Sequence, residues 1–178
     1  MRRFYRDGFR NVGLDQVLAD VGITKTAFYK HFRSKDDLML AVLEQQNAWL
    51  QGQFRRMVAE RGGAEPRGQL LALLDVVGEI IHHDEYQGCF FVNVAMEFPL
   101  PHEPAHVAAA RHKREIEGFV EELAARAGAA DAPGLARELC LVMEGAYVTR
   151  QVTADERTLA VARRVAEAVI ARHLALGA

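Results

Sequence analysis

Apolar residues recur at three- and four-residue spacing along nearly the whole chain, and nowhere is there a sustained alternation with a period of two. A 3.6-residue period buries one stripe of a helix, whereas a strand needs every second side chain. No Asn-Gly or Asp-Gly hairpin dipeptide separates two alternating runs. The expected fold is therefore all-α. With 178 residues the chain is long enough to bury a core without disulfides or a metal, and half its residues are apolar.

Punctuation divides the pattern into segments. Asp7-Gly8 reads as the end of a first helix. Leu14, Val17, Leu18 and Val21 form the stripe of a second, closed by Gly22 as a left-handed residue. Thr24 is the expected N-cap of a third, Lys25–Phe32, and Ser34 that of a fourth, with Asp36 and Asp37 in its first turn and an end near Glu60. After the loop Arg61–Pro66, the segment Arg67–His83 is apolar on most sides and should lie centrally. Gly88 to Phe98 is stopped by Pro99 and Pro101. His102 to Gly128 follows, then a break at Asp131–Gly134. A helix carrying Leu135, Leu139, Val142, Met143, Ala146 and Tyr147 comes next, and a last one is capped by Asp155. In the last helix Ala160, Val161, Ala166 and Ile170 widen the apolar face, which reads either as a partner-helix interface or as intrachain core.

The expected division is residues 1–47, a three-helix bundle with a helix-turn-helix, followed by 48–178, a larger helical bundle for ligand binding and dimerisation. Charge supports it. Residues 1–47 carry eight Lys/Arg against six Asp/Glu, net +2, while 48–178 carry 14 against 18, net −4. A basic head on an acidic body suits a protein that meets a polyanion with one end. The N-terminus Met1-Arg2-Arg3-Phe4 has no apolar signal region, no apolar run approaches a membrane span, and Cys89 and Cys140 are too few for a disulfide framework. A cytoplasmic protein with no membrane partner is expected.

Two short helices meeting at Gly22-Ile23 have helix-turn-helix spacing. Phe28 and Phe32 share one face and anchor the second helix on Val17, Val21 and Leu38. Lys25, Thr26, Ala27, Tyr29, Lys30 and His31 are left facing outward, where phosphates and base edges would be met. The string Gly8-Phe9, Leu14, Val17-Leu18-Ala19, Val21-Gly22-Ile23-Thr24-Lys25, Phe28-Tyr29, His31-Phe32, Ser34-Lys35, Leu38 resembles the DNA-binding head of the TetR family of bacterial transcription regulators. The resemblance covers residues 4–44 closely. Over 45–178 it rests on helix count and length and on Gly88-Cys89-Phe90-Phe91-Val92-Asn93.

The resemblance implies a DNA-binding transcriptional regulator, a repressor released from a double-stranded operator by a small-molecule inducer, acting as a homodimer through its two C-terminal helices. It is not expected to be an enzyme or to need a cofactor or metal. The resemblance places Thr24, Tyr29, His31 and Lys35 at phosphate contacts and Lys25, Thr26 and Ala27 at base edges, with Lys30 close by. Lys30 and Arg33 read equally as solvated charge. Two departures from the family pattern stand out: the first helix holds only Met1 to Asp7, and Val12-Gly13 replace a hydroxyl residue before the second helix. The second removes one cap, a cost of about 1 kcal/mol. The competing readings are a dimeric small-molecule-binding protein with an inactive head, and a metal enzyme built on histidine and carboxylate.

Candidate pocket liners are Phe90, Asn93, Met96 and Glu97 in one cluster and Phe119, Met143, Glu144 and Tyr147 in another. The apolar members, at helical spacing, are more often plain core than pocket. Asn93, Glu144 and Tyr147 need a polar partner, which is either a ligand or a neighbouring side chain. His102 and His106 stand four apart, as a metal pair or as surface histidines, and the two cysteines are either sensors or structural.

Overall fold

The computed structural model describes residues 2–175, and these contain nine α-helices and no strand. They are α1 (Arg2–Asp7), α2 (Leu14–Val21), α3 (Lys25–Tyr29), α4 (Lys35–Gly62), α5 (Pro66–Ile81), α6 (Phe90–Glu97), α7 (Pro104–Arg126), α8 (Ala132–Thr153) and α9 (Thr158–Ala175). Met1 lies outside the described residues. The chain groups into two compact units: residues 1–49 with 89–112, and residues 50–88 with 113–178. That α6 and the start of α7 group with the head is not anticipated by the sequence reading.

The first unit is built around aromatic side chains. Phe9 and Val12 are each 1% exposed, and Phe4 stacks on Phe9 at 4.4 Å between ring centroids. Phe90 packs edge-on against Phe9 at 6.1 Å and meets Phe91, whose ring in turn stacks on His112 at 4.1 Å. His112 is buried, and its Nδ1 lies 2.7 Å from Oδ1 of buried Asn47. A buried polar pair is tolerated because each group satisfies the other.

Local signals set the boundaries. Gly22 takes φ +73°, and the N–H groups of Ile23 and Gly22 return to the carbonyls of Leu18 (3.1 Å) and Ala19 (3.3 Å), which ends α2 in a Schellman turn. Ser34 Oγ accepts the N–H of Asp37 at 3.1 Å while the Asp37 carboxylate accepts that of Arg33 at 3.0 Å, a reciprocal cap on α4. The expected helix Lys25–Phe32 stops at Tyr29 instead: the His31 N–H turns back to the Phe28 carbonyl at 2.9 Å, a tighter three-residue turn that ends the α-helical ladder. Val21, expected on the inner stripe, is 65% exposed: it is the last residue of α2, where the chain turns away at Gly22.

The second unit has α5 at its centre. Leu70, Leu73, Leu74, Val76, Val77 and Ile81 of α5 are all buried and share one core with Phe54, Val58, Leu123, Leu135, Leu139, Met143 and Ile170. Gly62 and Gly68 let the end of α4 meet the start of α5 backbone to backbone, since a Cβ on Gly68 would strike the Gly62 carbonyl oxygen. No helix among the described residues is long and apolar enough to cross a membrane.

Candidate DNA-binding surface

Thr24 carries the turn into α3. Its φ, ψ of −85°, 158° are extended, and its Oγ1 accepts the Ala27 N–H at 3.2 Å. Capping uses only the acceptor capacity of the hydroxyl, so its O–H stays available as a donor to a phosphate oxygen. Phe28, 2% exposed, fixes α3 to the unit beneath and stacks on Phe32 at 5.5 Å. With Phe28 pointing in, Lys25, Thr26, Lys30 and His31 are exposed, Tyr29 is 57% exposed, and Ala27 and Lys35 are half-buried. The Tyr29 ring is braced edge-on by Phe28 at 5.1 Å, which aims its hydroxyl outward with little rotamer freedom to lose. The eight residues Thr24, Lys25, Thr26, Ala27, Tyr29, Lys30, His31 and Lys35 thus lie together on and beside one short helix.

An ion pair links α1 to α2. The Arg3 guanidinium grips the Asp20 carboxylate in two places, with Nη2 2.7 Å from Oδ1 and Nε against Oδ2. The hydrogen bond to Arg3 holds the Asp20 carboxyl below the usual carboxylate range. At the start of α2, Gly13 offers no side-chain cap, as its replacement of a hydroxyl residue implies. Instead the Gln16 side chain accepts the Gly13 N–H at 2.7 Å. On α2 the exposed Asp15 pairs with Lys25 of α3 at 2.9 Å. The sequence reading did not single it out, because ten residues and a turn separate the two.

The candidate pocket residues fall into both units. In the first, Phe90, Asn93 and Glu97 border a cavity of about 30 Å³ with Phe4, Tyr5, Gly8, Phe9 and Val94, space for a single water. Met96 is 77% exposed. The Glu97 carboxylate accepts the backbone N–H groups of Phe9, at 2.9 Å, and Arg10. In the second unit, Met143 and Phe119 are buried, and Phe119 carries the Arg55 guanidinium 4.3 Å above its ring. Glu144 pairs with Lys113, and the Tyr147 carbonyl accepts the Tyr86 hydroxyl at 3.2 Å. Cys140, half-buried beside them, has its thiol pushed up to about 12 by burial, with the Glu117 and Glu144 carboxylates adding to the shift. No group of three or more metal-ligating side chains occurs among the described residues.

Comparison with known proteins places this arrangement. Residues 1–42 match the family model "Bacterial regulatory proteins, tetR family", and residues 66–166 match "Tetracyclin repressor-like, C-terminal domain". The HTH-type transcriptional regulator YjdC of Escherichia coli is 26% identical over 167 residues, covering 92% of this chain and 85% of the relative. The HTH-type transcriptional repressor NemR of E. coli is 28% identical over 91 residues, 51% of this chain and 45% of that protein. The crystal structure of SCO4454, a TetR-family transcriptional regulator from Streptomyces coelicolor, superposes with a TM-score of 0.84 at 29% identity, covering 97% of this chain and 90% of that one.

Proposed function

The chain belongs to the TetR family of bacterial regulatory proteins and is a DNA-binding transcriptional regulator, and from that premise we propose that it works in the cytoplasm as a homodimeric repressor released from its operator by a small-molecule inducer. The observation that carries the reading is the outward face of α3, where Lys25, Thr26, Tyr29, Lys30 and His31 stand exposed around the single buried anchor Phe28. Thr24, Tyr29, His31 and Lys35 act on phosphates, while Lys25, Thr26 and Ala27 read base edges, with Lys30 beside them.

A two-fold partner supplies the second recognition helix, about 34–36 Å or a multiple of it away, so that both enter successive major grooves. The dimer surface is the outer side of α8 and α9. Leu141 and Val152 on α8 are 74% and 77% exposed, and Val161 and Val165 on α9 are 47% and 44% exposed. Opposite them, Ala162, Ala166 and Ile170 are buried in the unit's own core, so α9 has two apolar faces and only one is used within the chain. A partner helix pair accounts for the other.

An inducer has to bind the geometry that misplaces the two heads better than the one that fits the operator. Phe119, Met143, Glu144 and Tyr147 are the residues we assign to that site in the second unit, and Phe90, Asn93, Met96 and Glu97 are the candidates in the first. The relatives include both a repressor, NemR, and an activator, FasR of Mycolicibacterium smegmatis, 32% identical over 81 residues, and repression is the reading we put to the test.

Fluorescence anisotropy on duplexes from beside the protein's own gene tests the reading, with a scrambled duplex, a salt series and Tyr29→Ala as controls. Specific binding that weakens with salt and is lost in Y29A, together with raised transcription of a reporter when the gene is deleted, is the expected result. A folded dimer that binds no duplex at low salt would refute it.

A further inference from the structure

The loop Gly8–Gly13 between α1 and α2 is held by a residue 88 positions away in sequence. The C-terminal turn of α6 brings the Glu97 carboxylate against two consecutive backbone donors: Oε2 accepts the Phe9 N–H at 2.9 Å and Oε1 accepts that of Arg10. Gly8, at φ +79°, turns the chain so that both N–H groups converge, and a Cβ there would lie 3.3 Å from both carboxylate oxygens. Successive N–H groups beside a left-handed residue form a concave anion site. Here the chain fills it with its own carboxylate.

Arg10 closes the same junction from the other side. Its Nε donates to the Glu97 carbonyl at 3.0 Å, its Nη2 pairs with Glu103 at 3.2 Å, and its guanidinium lies 4.6 Å above the Phe98 ring. Glu103 in turn accepts the Leu100 N–H at 3.1 Å. Phe9, whose amide is held, is itself 1% exposed, stacked on Phe4 and met edge-on by Phe90. The loop is therefore tied to the stretch 90–103 at three points: the Phe9 and Arg10 amides, the Arg10 guanidinium and the Phe9 ring.

From these contacts we infer that Glu97 is a positioning residue for DNA binding, a carboxylate latch through which α6 sets the pose of the helix-turn-helix. The inference rests on the DNA-binding reading above. Its logic is mechanical. Arg3 pairs with Asp20 across α1 and α2, and the Schellman turn at Gly22 joins α2 to α3, so a displacement of the α1–α2 loop is passed on to α3. That loop is gripped, and the grip is on α6. Glu97 lies off the exposed face of α3, so its effect is on orientation and not on phosphate contact. A shift of α6 that withdraws the carboxylate would leave two amides without their acceptor, which makes the latched and released poses discrete.

The test uses the full-length protein with Glu97→Ala and Glu97→Gln, read in two ways. Hydrogen exchange by NMR should show the Phe9 and Arg10 amides exchanging about 10- to 100-fold faster in E97A, the scale of a lost hydrogen bond to a charged group, while amides in α8 and α9 keep their rates. Anisotropy should show operator affinity falling about tenfold or more with the slope of log affinity against log salt unchanged, since no phosphate contact is removed. E97Q retains one acceptor oxygen and should fall between wild type and E97A on both readouts, and it decides the matter if E97A is poorly folded. Unchanged exchange at Phe9 and Arg10 overturns the latch. Faster exchange with operator affinity within twofold of wild type overturns the positioning role while leaving the DNA-binding reading intact. Wild-type protein that ignores every duplex overturns that reading and the positioning role with it.

Discussion

Lys25, the first residue of α3, lies with its Nζ 2.9 Å from Oδ1 and 3.2 Å from Oδ2 of Asp15 on α2. Both side chains are largely in solvent, and such pairs exchange partners readily. Next to DNA the pair has opposite consequences for its two members: the ammonium is attracted to phosphate, and the carboxylate is repelled by it. Asp15→Asn should therefore raise affinity for operator and scrambled duplex alike, by about two- to fivefold at low salt, and the gain should fade as the Debye length shrinks. Anisotropy at two salt concentrations measures it. A fall in operator affinity alone would instead mean that Asp15 accepts a hydrogen bond from a cytosine amino group.

The features legible in the sequence are the local ones. The Schellman turn at Gly22, the caps at Thr24 and Ser34 and the stop at Pro99 each act within about four residues, so their chemistry can be read from neighbours. Central placement of α5 was equally legible, because its apolar residues exceed one stripe. Contacts carried by long-range packing were not. Nothing in the spacing of Asp15 and Lys25, or of Glu97 and Phe9, encodes their meeting. Glu97 reads from sequence as a pocket liner beside Phe90, Asn93 and Met96; that its carboxylate also accepts two backbone amides of the α1–α2 loop has no local signal. The end of α3 lies three residues before the expected one because periodicity includes Phe32, while the backbone tightens into a turn at His31, whose N–H bonds the Phe28 carbonyl.

Cys140 should be an inert thiol. Burial first, and then the Glu117 and Glu144 carboxylates, push it up to about 12, against a partial offset from Lys113. The thiolate is the nucleophile, so at pH 8 alkylation of Cys140 by iodoacetamide should run more than about a hundredfold slower in the native protein than in denaturant, where an ordinary thiol titrates near 8.5. Mass spectrometry of the Cys140 peptide over time gives both rates. Equal rates in the two conditions would place a reactive thiol inside the second unit and reopen a sensing role for it.

Two glycines separate packing from propensity. Glycine inside a helix costs about 0.5–1 kcal/mol relative to alanine. At Gly52 in α4 a Cβ would meet nothing within 4 Å, and the residue is exposed, so Gly52→Ala should stabilise by about that amount. At Gly68 a Cβ would collide with the Gly62 carbonyl oxygen, which is backbone and cannot rotate aside. Overpacking costs about 1–3 kcal/mol and wins, so Gly68→Ala should destabilise. In thermal unfolding the two variants should shift the midpoint in opposite directions, by about 2–4 °C per kcal/mol for a chain of this size. Shifts of the same sign would show that the α4–α5 junction gives way more easily than its geometry implies.

The outer face of α9 is where the proposed dimer can be tested. Val161 and Val165 are one turn apart, about half exposed, and border a groove completed by Arg164, Ala168, Val169 and Arg172. Neither valine belongs to the chain's own core, so replacing both with glutamate should leave the monomer's helix content and most of its stability intact. At a dimer interface the same change buries two unpaired carboxylates in place of two apolar side chains, each of which contributes up to about 1.5–3 kcal/mol when fully covered. V161E/V165E should therefore raise the dimer dissociation constant by at least about a hundredfold, as read by sedimentation equilibrium. Operator binding should fall with it, toward the affinity for scrambled duplex, because a single head reads one half-site and loses the second. A double variant that remains a dimer and binds operator normally would move the interface off α9, and the unused apolar face there would need another partner.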